Sequence, residues 1–342
     1  LRQDDAWRER RRRLQQPLDL SADQSRFAFA VAEGKLREKA GDHYPAPLSA
    51  LKAIRDGGAR TLDAGLLIER EAILKVVATP TARNLINLFF VKNRLAHDPG
   101  VATRGIGPRP VRRAGVLGAG QMGAGIATAH ARSDIPTALV DVDDARLDAG
   151  LKRAQDVILS RIRIGRATPQ DLARMLAHLS PATTHGIFAD CDVVIEAVPE
   201  DETLKTRMYR ELAPYLRDDA ILASNTSTIP ISRMAQSAPH PERFVGMHFF
   251  YPVDRMELVA VVRGEQPSDE AVATVVALAK RLRKTPIVVR DCPGFLTNRV
   301  LFPYMSGALR LLEDGASMDA IDAAAEELLD GGQHLRPVQQ CP

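Results

Sequence analysis

A chain of 342 residues with 45% hydrophobic residues is long enough for two or three globular domains. Its formal net charge of +3 is too small to favour nucleic acid as a partner, and no apolar run is long enough to span a bilayer. The three cysteines, Cys191, Cys292 and Cys341, form no Cys-X-X-Cys pair, so we expect a reducing, cytoplasmic location and no metal site.

The first 97 residues are predicted to be helical. A basic run at 8–13 has only Trp7 as an aromatic neighbour, which favours a solvated helix face over a patch for RNA or membrane. No reactive group of side chains stands out in this region, and the Gly- and Pro-rich segment 98–110 is typical of a linker. Apolar residues at helical spacing, interrupted by Gly and Pro, predict helices at 21–39, 48–54, 61–77 and 81–95.

Three glycines follow a short apolar stretch and open an amphipathic one: Gly118, Gly120 and Gly123. Gly118 suits a tight strand-to-helix turn, Gly120 lets the backbone approach a pyrophosphate, and Gly123 lets the helix pack closely on the strand. The N-terminus of the helix then offers unpaired N–H groups and the positive end of its dipole to the phosphates. The pattern predicts a dinucleotide site, and the simpler alternative is a glycine-rich surface turn.

An acidic residue ends the next predicted strand. Asp141 lies 18 residues after Gly123, near the spacing expected for an acid that binds the adenosine ribose hydroxyls. A carboxylate at this position would repel a 2′-phosphate, which favours NAD over NADP as the cofactor. The alternative is a solvated surface Asp, but the order of strand, turn, helix, strand and acid favours the coenzyme.

From residue 111 onward, strand patterns alternate with helix patterns. Near-continuous apolar character in the first strands predicts a parallel sheet that is buried on both faces. Strands are predicted at 114–117, 137–141, 192–197, 220–224, 244–248, 257–262 and 286–290. Helices are predicted at 144–164, 201–216, 269–282, 294–312 and 318–329. The fold class is therefore α/β, a Rossmann-type doubly wound sheet that follows a helical linker region and precedes the start of an all-helical C-terminal domain.

Three polar features follow predicted strands. His248 ends an apolar strand, where an imidazole with a pKa near neutrality could take a proton from an alcohol as hydride leaves the carbon. A structural histidine is the alternative. The polar run 224–228 suits hydrogen bonding to a carbonyl or hydroxyl, and it suits a turn or a helix cap equally well. Asn298 lies within a predicted helix although Asn is a poor helix former, so its amide is a candidate for a binding role.

Taken together, these segments resemble the 3-hydroxyacyl-CoA dehydrogenase family, and within it the multifunctional alpha subunit of bacterial fatty-acid oxidation complexes. Order and spacing agree from about residue 111 to 329. The motifs that carry the resemblance are 118–126, 223–230, 246–250, 291–295 and 298–301. The resemblance implies a helical linker region on the hydratase side at 1–97, an NAD-binding domain at 111–291, a truncated helical domain at 292–330 and an unmatched tail at 331–342.

The resemblance also implies roles for individual residues. His248 matches the general base that deprotonates the 3-hydroxyl while C3 gives hydride to NAD, and Ser227 and Asn298 match residues that bind the substrate. The positions that match the NAD site are Gly118, Gly120, Met122, Gly123, Asp141, Val198, Pro199, Glu200, Lys205, Ser227 and Tyr251. The implied reaction converts (S)-3-hydroxyacyl-CoA to 3-ketoacyl-CoA in fatty-acid β-oxidation, and the implied partner is a thiolase subunit.

The chain departs from the family pattern in three places. Ala260 stands where the family has a Glu that orients the base, and Glu257, three residues away, is predicted to face the other side of the strand. Tyr251 replaces an Asn beside the nicotinamide, and the tail at 331–342 does not match. Two alternatives follow: a fragment or pseudo-enzyme that binds NAD but turns over poorly, or an enzyme for a short 3-hydroxy acid without CoA.

Overall fold

The computed structural model describes residues 6–41, 43–103 and 105–329. Its α-helices are α1 (Ala6–Leu14), α2 (Ala22–Ala40), α3 (Pro45–Gly58), α4 (Leu62–Val77), α5 (Pro80–His97), α6 (Gln121–Ala131), α7 (Asp144–Arg163), α8 (Pro169–Ala177), α9 (Glu202–Leu212), α10 (Ile231–Ala235), α11 (Asp269–Arg281), α12 (Thr297–Glu313) and α13 (Met318–Leu329). Its strands are β1 (Ala114–Leu117), β2 (Thr137–Val140), β3 (Leu179–Ala182), β4 (Val193–Glu196), β5 (Ile221–Ser224), β6 (Phe244–Phe249), β7 (Leu258–Arg263) and β8 (Thr285–Arg290). The predicted tail and Cys341 lie outside the described residues.

The chain divides into two compact units, one formed by residues 1–91 with 306–342 and the other by residues 92–305. In the first unit, α3 is longer than the sequence predicts, because it continues through Gly57 and Gly58. A Cβ on Gly57 would lie 3.2 Å from the Cα of Gly65 in α4. The glycine therefore allows two helices to approach closely instead of ending one of them. No helix in the described ranges combines the length and apolar character needed to cross a membrane.

The second unit contains an eight-stranded sheet in the order β3-β2-β1-β4-β5-β6-β7-β8. The first six of these strands are parallel, β7 is antiparallel to β6, and β8 is parallel to β7. Strand β3 is absent from the sequence prediction because Leu-Ser-Pro-Ala has no apolar run. As an edge strand it pairs only with β2, which also explains why it tolerates Pro181.

Helices cover both faces of the sheet, as the sequence predicts for a Rossmann-type fold. One apolar cluster joins the sheet to α6, α7 and α11, and the other joins it to α9 and α10. Strands β1, β2, β4 and β5 are buried along their whole length. Since water is excluded from both faces, polar groups of the central strands reach solvent only at the strand ends, where ligands bind in open parallel sheets.

Candidate active site

The glycine turn joins β1 to α6 with the geometry of a phosphate cradle. Gly118 has φ +100°, and a Cβ there would lie 2.7 Å from the carbonyl oxygen of Ala197. A Cβ on Gly123 would lie 1.7 Å from the carbonyl oxygen of Gly118, so only glycine fits. Gly120, the N-cap of α6, has open space at its Cβ position. The cradle therefore fits a diphosphate against the helix N-terminus.

Asp141 lies directly after β2 and next to this turn. Its carboxylate accepts hydrogen bonds from the N–H groups of Ala119 and Val142, each at 2.7 Å. The first of these bonds ties the acid to the glycine turn, and Val142 beside it is 71% exposed. This placement suits an acid that binds the ribose hydroxyls of a dinucleotide. Met122, in the first turn of α6, is half-buried against the adjoining core.

The end of β4 carries a buried charged network that sequence reasoning missed. Glu196 is fully buried and accepts hydrogen bonds from Lys205 Nζ at 2.6 Å, Tyr209 Oη at 2.8 Å and Ser224 Oγ at 2.7 Å. Lys205, which the resemblance places at the coenzyme site, is 1% exposed. Burial and the Glu196 carboxylate raise the pKa of Tyr209 well above its ordinary value. The sequence signal was an acid in an apolar strand followed by Lys and Tyr four residues apart, on one face of α9.

The loop after β4 contains Val198, Pro199 and Glu200. Glu200 Oε1 accepts hydrogen bonds from Thr226 Oγ1 at 2.6 Å and from the N–H of Ser227 at 2.9 Å. Burial raises the pKa of Glu200, but these hydrogen bonds and the charge of Lys205 bring the pKa below its ordinary value. Glu200 is therefore an anion that holds the loop carrying Ser227.

His248 lies in β6, one residue before the strand ends, and is 8% exposed. Its Nδ1 is 3.5 Å from the carbonyl oxygen of Asn225, and its ring packs edge-on against Phe250 at 4.6 Å between centroids. Burial lowers the pKa of the imidazole, against the raising effects of the Asn225 backbone and the Glu200 carboxylate. The imidazole is thus neutral at pH 7, which is the state a general base requires.

The residue directly opposite His248 in the antiparallel β6–β7 pair is Ala260. It is 1% exposed, so a methyl group lies where the family has a carboxylate. Glu257 precedes β7, and its side chain is 64% exposed and paired with Lys92 at 2.7 Å. Glu257 therefore supplies no carboxylate to the imidazole.

Asn298 and Tyr251 contact different parts of the site. Asn298 is in the first turn of α12, where Asn is better tolerated than in a helix interior, and its Nδ2 donates to the carbonyl oxygen of Ser227 at 2.8 Å. Tyr251 is 60% exposed, and its hydroxyl accepts a hydrogen bond from Gln121 Nε2 at 3.2 Å. Ser227 and Asn298 are therefore in direct contact, and Tyr251 reaches the helix that follows the glycine turn.

Comparisons with known proteins agree with this geometry. Residues 113–292 match the family model for the 3-hydroxyacyl-CoA dehydrogenase NAD binding domain, and residues 294–330 match that for its C-terminal domain. FadB2 of M. tuberculosis is 36% identical at TM-score 0.63, over 65% of this chain and 79% of that chain. (S)-3-hydroxybutyryl-CoA dehydrogenase PaaH1 of Ralstonia eutropha is 37% identical at TM-score 0.62, over 65% and 78%. The 3-hydroxybutyryl-CoA dehydrogenase of Escherichia coli K12 is 35% identical at TM-score 0.61, over 64% and 46%.

Proposed function

The chain belongs to the 3-hydroxyacyl-CoA dehydrogenase family, and we propose that it oxidises the 3-hydroxyl group of an (S)-3-hydroxyacyl-CoA to a ketone. The observation that carries this proposal is a neutral imidazole whose Nδ1 lies 3.5 Å from the carbonyl oxygen of Asn225, in the loop that carries Ser227 and its partner Asn298. The dinucleotide cradle follows β1 at the same edge of the sheet, with β4 and β5 between β1 and β6. An alcohol bound between these groups would have a base for its proton and a coenzyme for its hydride.

The residues of the cradle fit NAD, the cofactor of this family. When bound, NAD supplies the chemistry of a hydride acceptor. Gly120 and the N-terminus of α6 would hold its diphosphate, and Asp141 would bind its ribose. His248 would take the hydroxyl proton, while Ser227 and Asn298 hold the substrate oxygen. The other residues that we assign to the coenzyme crevice are Gly118, Gly123, Met122, Val198, Pro199, Glu200, Lys205 and Tyr251.

A cationic cavity supports a CoA ester over a free 3-hydroxy acid. A cavity of about 380 Å³ is bounded by α6, α7, α8 and the loop after β6. Its walls include five guanidinium groups that make no ion pair with a described residue: Arg132, Arg161, Arg166, Arg255 and Arg283. Burial and the nearby charges of Arg161 and Arg283 lower the pKa of Arg132 against the raising effect of Asp254, so these three cations repel one another. A ligand that carries several phosphates would relieve that repulsion.

The second candidate function is an NAD-binding protein with impaired turnover. The observation that favours it is Ala260 opposite His248, since the base has no carboxylate on the neighbouring strand. Loss of the orienting carboxylate from a comparable triad costs about four orders of magnitude in turnover. The charge of Glu200 raises the pKa of His248, as a carboxylate on the neighbouring strand would.

We further propose the cellular setting that the resemblance implies. The similarity to FadB2 and the helical segment at 1–97 support a place in fatty-acid β-oxidation, within a multifunctional chain whose partner is a thiolase subunit. We also propose a domain division at the linker 98–110 and at 291/292, which the matched regions 113–292 and 294–330 support. The free thiols of Cys191 and Cys292 support a cytoplasmic location.

The test is reduction of acetoacetyl-CoA by NADH, followed by loss of NADH absorbance, with NADH binding measured separately by calorimetry. We expect a rate above background that His248→Gln abolishes while NADH still binds. NADH binding without turnover would favour the impaired alternative. Absence of NADH binding to folded protein would refute both candidates.

A further inference from the structure

The fully buried Glu196 side chain accepts four hydrogen bonds at this edge of the sheet, and none of the roles assigned above includes it. Its carboxylate accepts hydrogen bonds from Lys205, Tyr209, Ser224 and the N–H of Val198, the last at 2.9 Å. Its own carbonyl oxygen accepts the N–H of Asn225 at 2.9 Å. One residue therefore touches α9, the end of β5 and the loops after β4 and β5.

The contacts continue from Glu196 to Glu200 through a buried ammonium. Lys205 Nζ lies 2.6 Å from Glu196 Oε1 and 3.4 Å from Glu200 Oε2. Two carboxylates share one cation, so the group of three has a net charge of −1. If Glu196 were neutral, Glu200 would be the sole anionic partner of Lys205.

From Glu200 the contacts reach the loop beside the imidazole. Glu200 Oε1 accepts from Thr226 and from the N–H groups of Ser227 and Thr228, the last at 3.2 Å. The neighbouring residue, Asn225, accepts the N–H of Phe249 through its side-chain oxygen at 2.8 Å. The loop from 225 to 228 is thus fixed at one end to β6 and along its length to Glu200.

We propose that Glu196 is a positioning residue, which acts through Lys205 and Glu200 to fix Ser227 and the Asn225 carbonyl around His248. A buried ion pair adds little net stability, because desolvation offsets its Coulomb energy. A buried network at the edge of the sheet that carries both the coenzyme turn and the imidazole is better explained by the geometry that it imposes. This inference deepens the proposed dehydrogenase function and depends on it for its kinetic readout.

The test is Glu196→Gln, followed by NMR titration of the His248 ring and by steady-state kinetics. The carboxylate that acts on His248 is Glu200, and the surrounding Phe250, Phe295 and Ala260 are uncharged. Once Lys205 draws Glu200 away, we expect the pKa of His248 to fall by roughly half a pH unit. We expect kcat for acetoacetyl-CoA to fall roughly 10- to 100-fold with KM little changed, as displacement of a positioned group produces.

Thr274→Val is the matched control. Thr274 is 2% exposed in α11, where its hydroxyl donates to Glu270 and accepts the N–H of Arg109. A loss of packing alone would lower kcat similarly in both variants and leave the titration of His248 in place. The proposal would be overturned by equal losses of kcat in the two variants with an unchanged titration of His248. It would also be overturned if Glu196→Gln changed neither kcat nor that titration.

A second variant keeps every charge, in case Glu196→Gln does not fold. Tyr209→Phe with Ser224→Ala removes the two hydroxyl donors to Glu196 Oε2. The charge of Glu196 is then less neutralised by hydrogen bonds, so it attracts Lys205 more strongly and Lys205 neutralises Glu200 less. We therefore expect the pKa of His248 to rise and kcat to fall about fivefold. An unchanged titration and an unchanged kcat would overturn the proposal. A parent protein without turnover would instead defeat the proposed function, while the NMR measurement would still decide the role of Glu196.

Discussion

Restoring a carboxylate opposite the imidazole should increase turnover. In Ala260→Glu, the new side chain projects from the residue that pairs with His248 across β6 and β7. Cβ atoms of such pairs lie about 5 Å apart. At that distance, and at an effective dielectric constant of about 20, a carboxylate and an imidazolium attract by about 3 kcal/mol. Desolvation of the new carboxylate opposes this, so we expect a net gain of about 1.4 kcal/mol, which is one pH unit in the pKa of His248.

The same energy sets the expected change in rate. In the direction of ketone reduction, His248 must donate a proton, so a higher pKa enlarges the competent fraction at pH 7. A gain of about 1.4 kcal/mol in transition-state stabilisation corresponds to about a tenfold increase in kcat. Ala260 is 1% exposed, so the larger side chain also costs about 1–3 kcal/mol of stability through overpacking.

The assay compares Ala260→Glu with Ala260→Gln, which has the same size and no charge. We expect acetoacetyl-CoA reduction at pH 7 to quicken only in the Glu variant, and urea unfolding to show a similar loss of stability in both. Equal rates in the two variants, or a Glu variant with an unchanged pKa of His248, would refute the view that a missing charge limits this site.

Three further predictions follow from the coenzyme turn, the cationic cavity and the buried imidazole. Asp141→Ala should weaken NADH binding about tenfold by calorimetry, and unchanged affinity would reject its ribose role. Arg161→Gln should raise KM for acetoacetyl-CoA but not for acetoacetyl-pantetheine, and Arg163→Gln, on the same helix but outside the cavity, should change neither. Burial lowers the pKa of His130 to about 4, below its unfolded value of 6.5, so the unfolded chain binds the proton first. Stability should therefore be full above pH 6.5 and decline by about 3 kcal/mol as pH falls to 4, and His130→Leu should lose that dependence in urea unfolding.

The parts of the site that the sequence predicted are those set by local geometry. Gly118 adopts φ +100° and Gly123 leaves room for the carbonyl of Gly118. Only glycine meets both requirements, so the turn can be predicted from the glycines in the sequence. The alternation of apolar strands and amphipathic helices likewise predicted a Rossmann-type sheet, because burial on both faces leaves continuous apolar runs. Strand β3 was not predicted, because this edge strand, Leu-Ser-Pro-Ala, contains no continuous apolar run.

The parts that the sequence did not predict depend on register between strands. Glu196 meets Ser224 because β4 and β5 pair residue by residue up to their ends, and it meets Tyr209 because α9 packs back over that end. The four-residue spacing of Lys205 and Tyr209 puts both side chains on one face of α9, but it does not tell which strand end that face covers. For Asn298, the structure changes the argument but does not test the proposed role: α12 begins only one residue earlier, so Asn298 is not in a helix interior and helix propensity does not single it out.

The carboxylate that acts on His248 comes from a different part of the fold than in the family pattern. In the family pattern, a carboxylate approaches the imidazole from β7, whereas here β7 contributes a methyl group and Glu257 is engaged with Lys92. The remaining carboxylate that acts on His248 comes from the loop after β4, and its position is fixed by hydrogen bonds to the loop that carries Ser227. The charge of Glu200 and the position of Ser227 are therefore coupled through the loop that carries Ser227. A substitution that moves Glu200 should then change the basicity of His248 and the placement of Ser227 together, whereas one at Ala260 should change basicity alone.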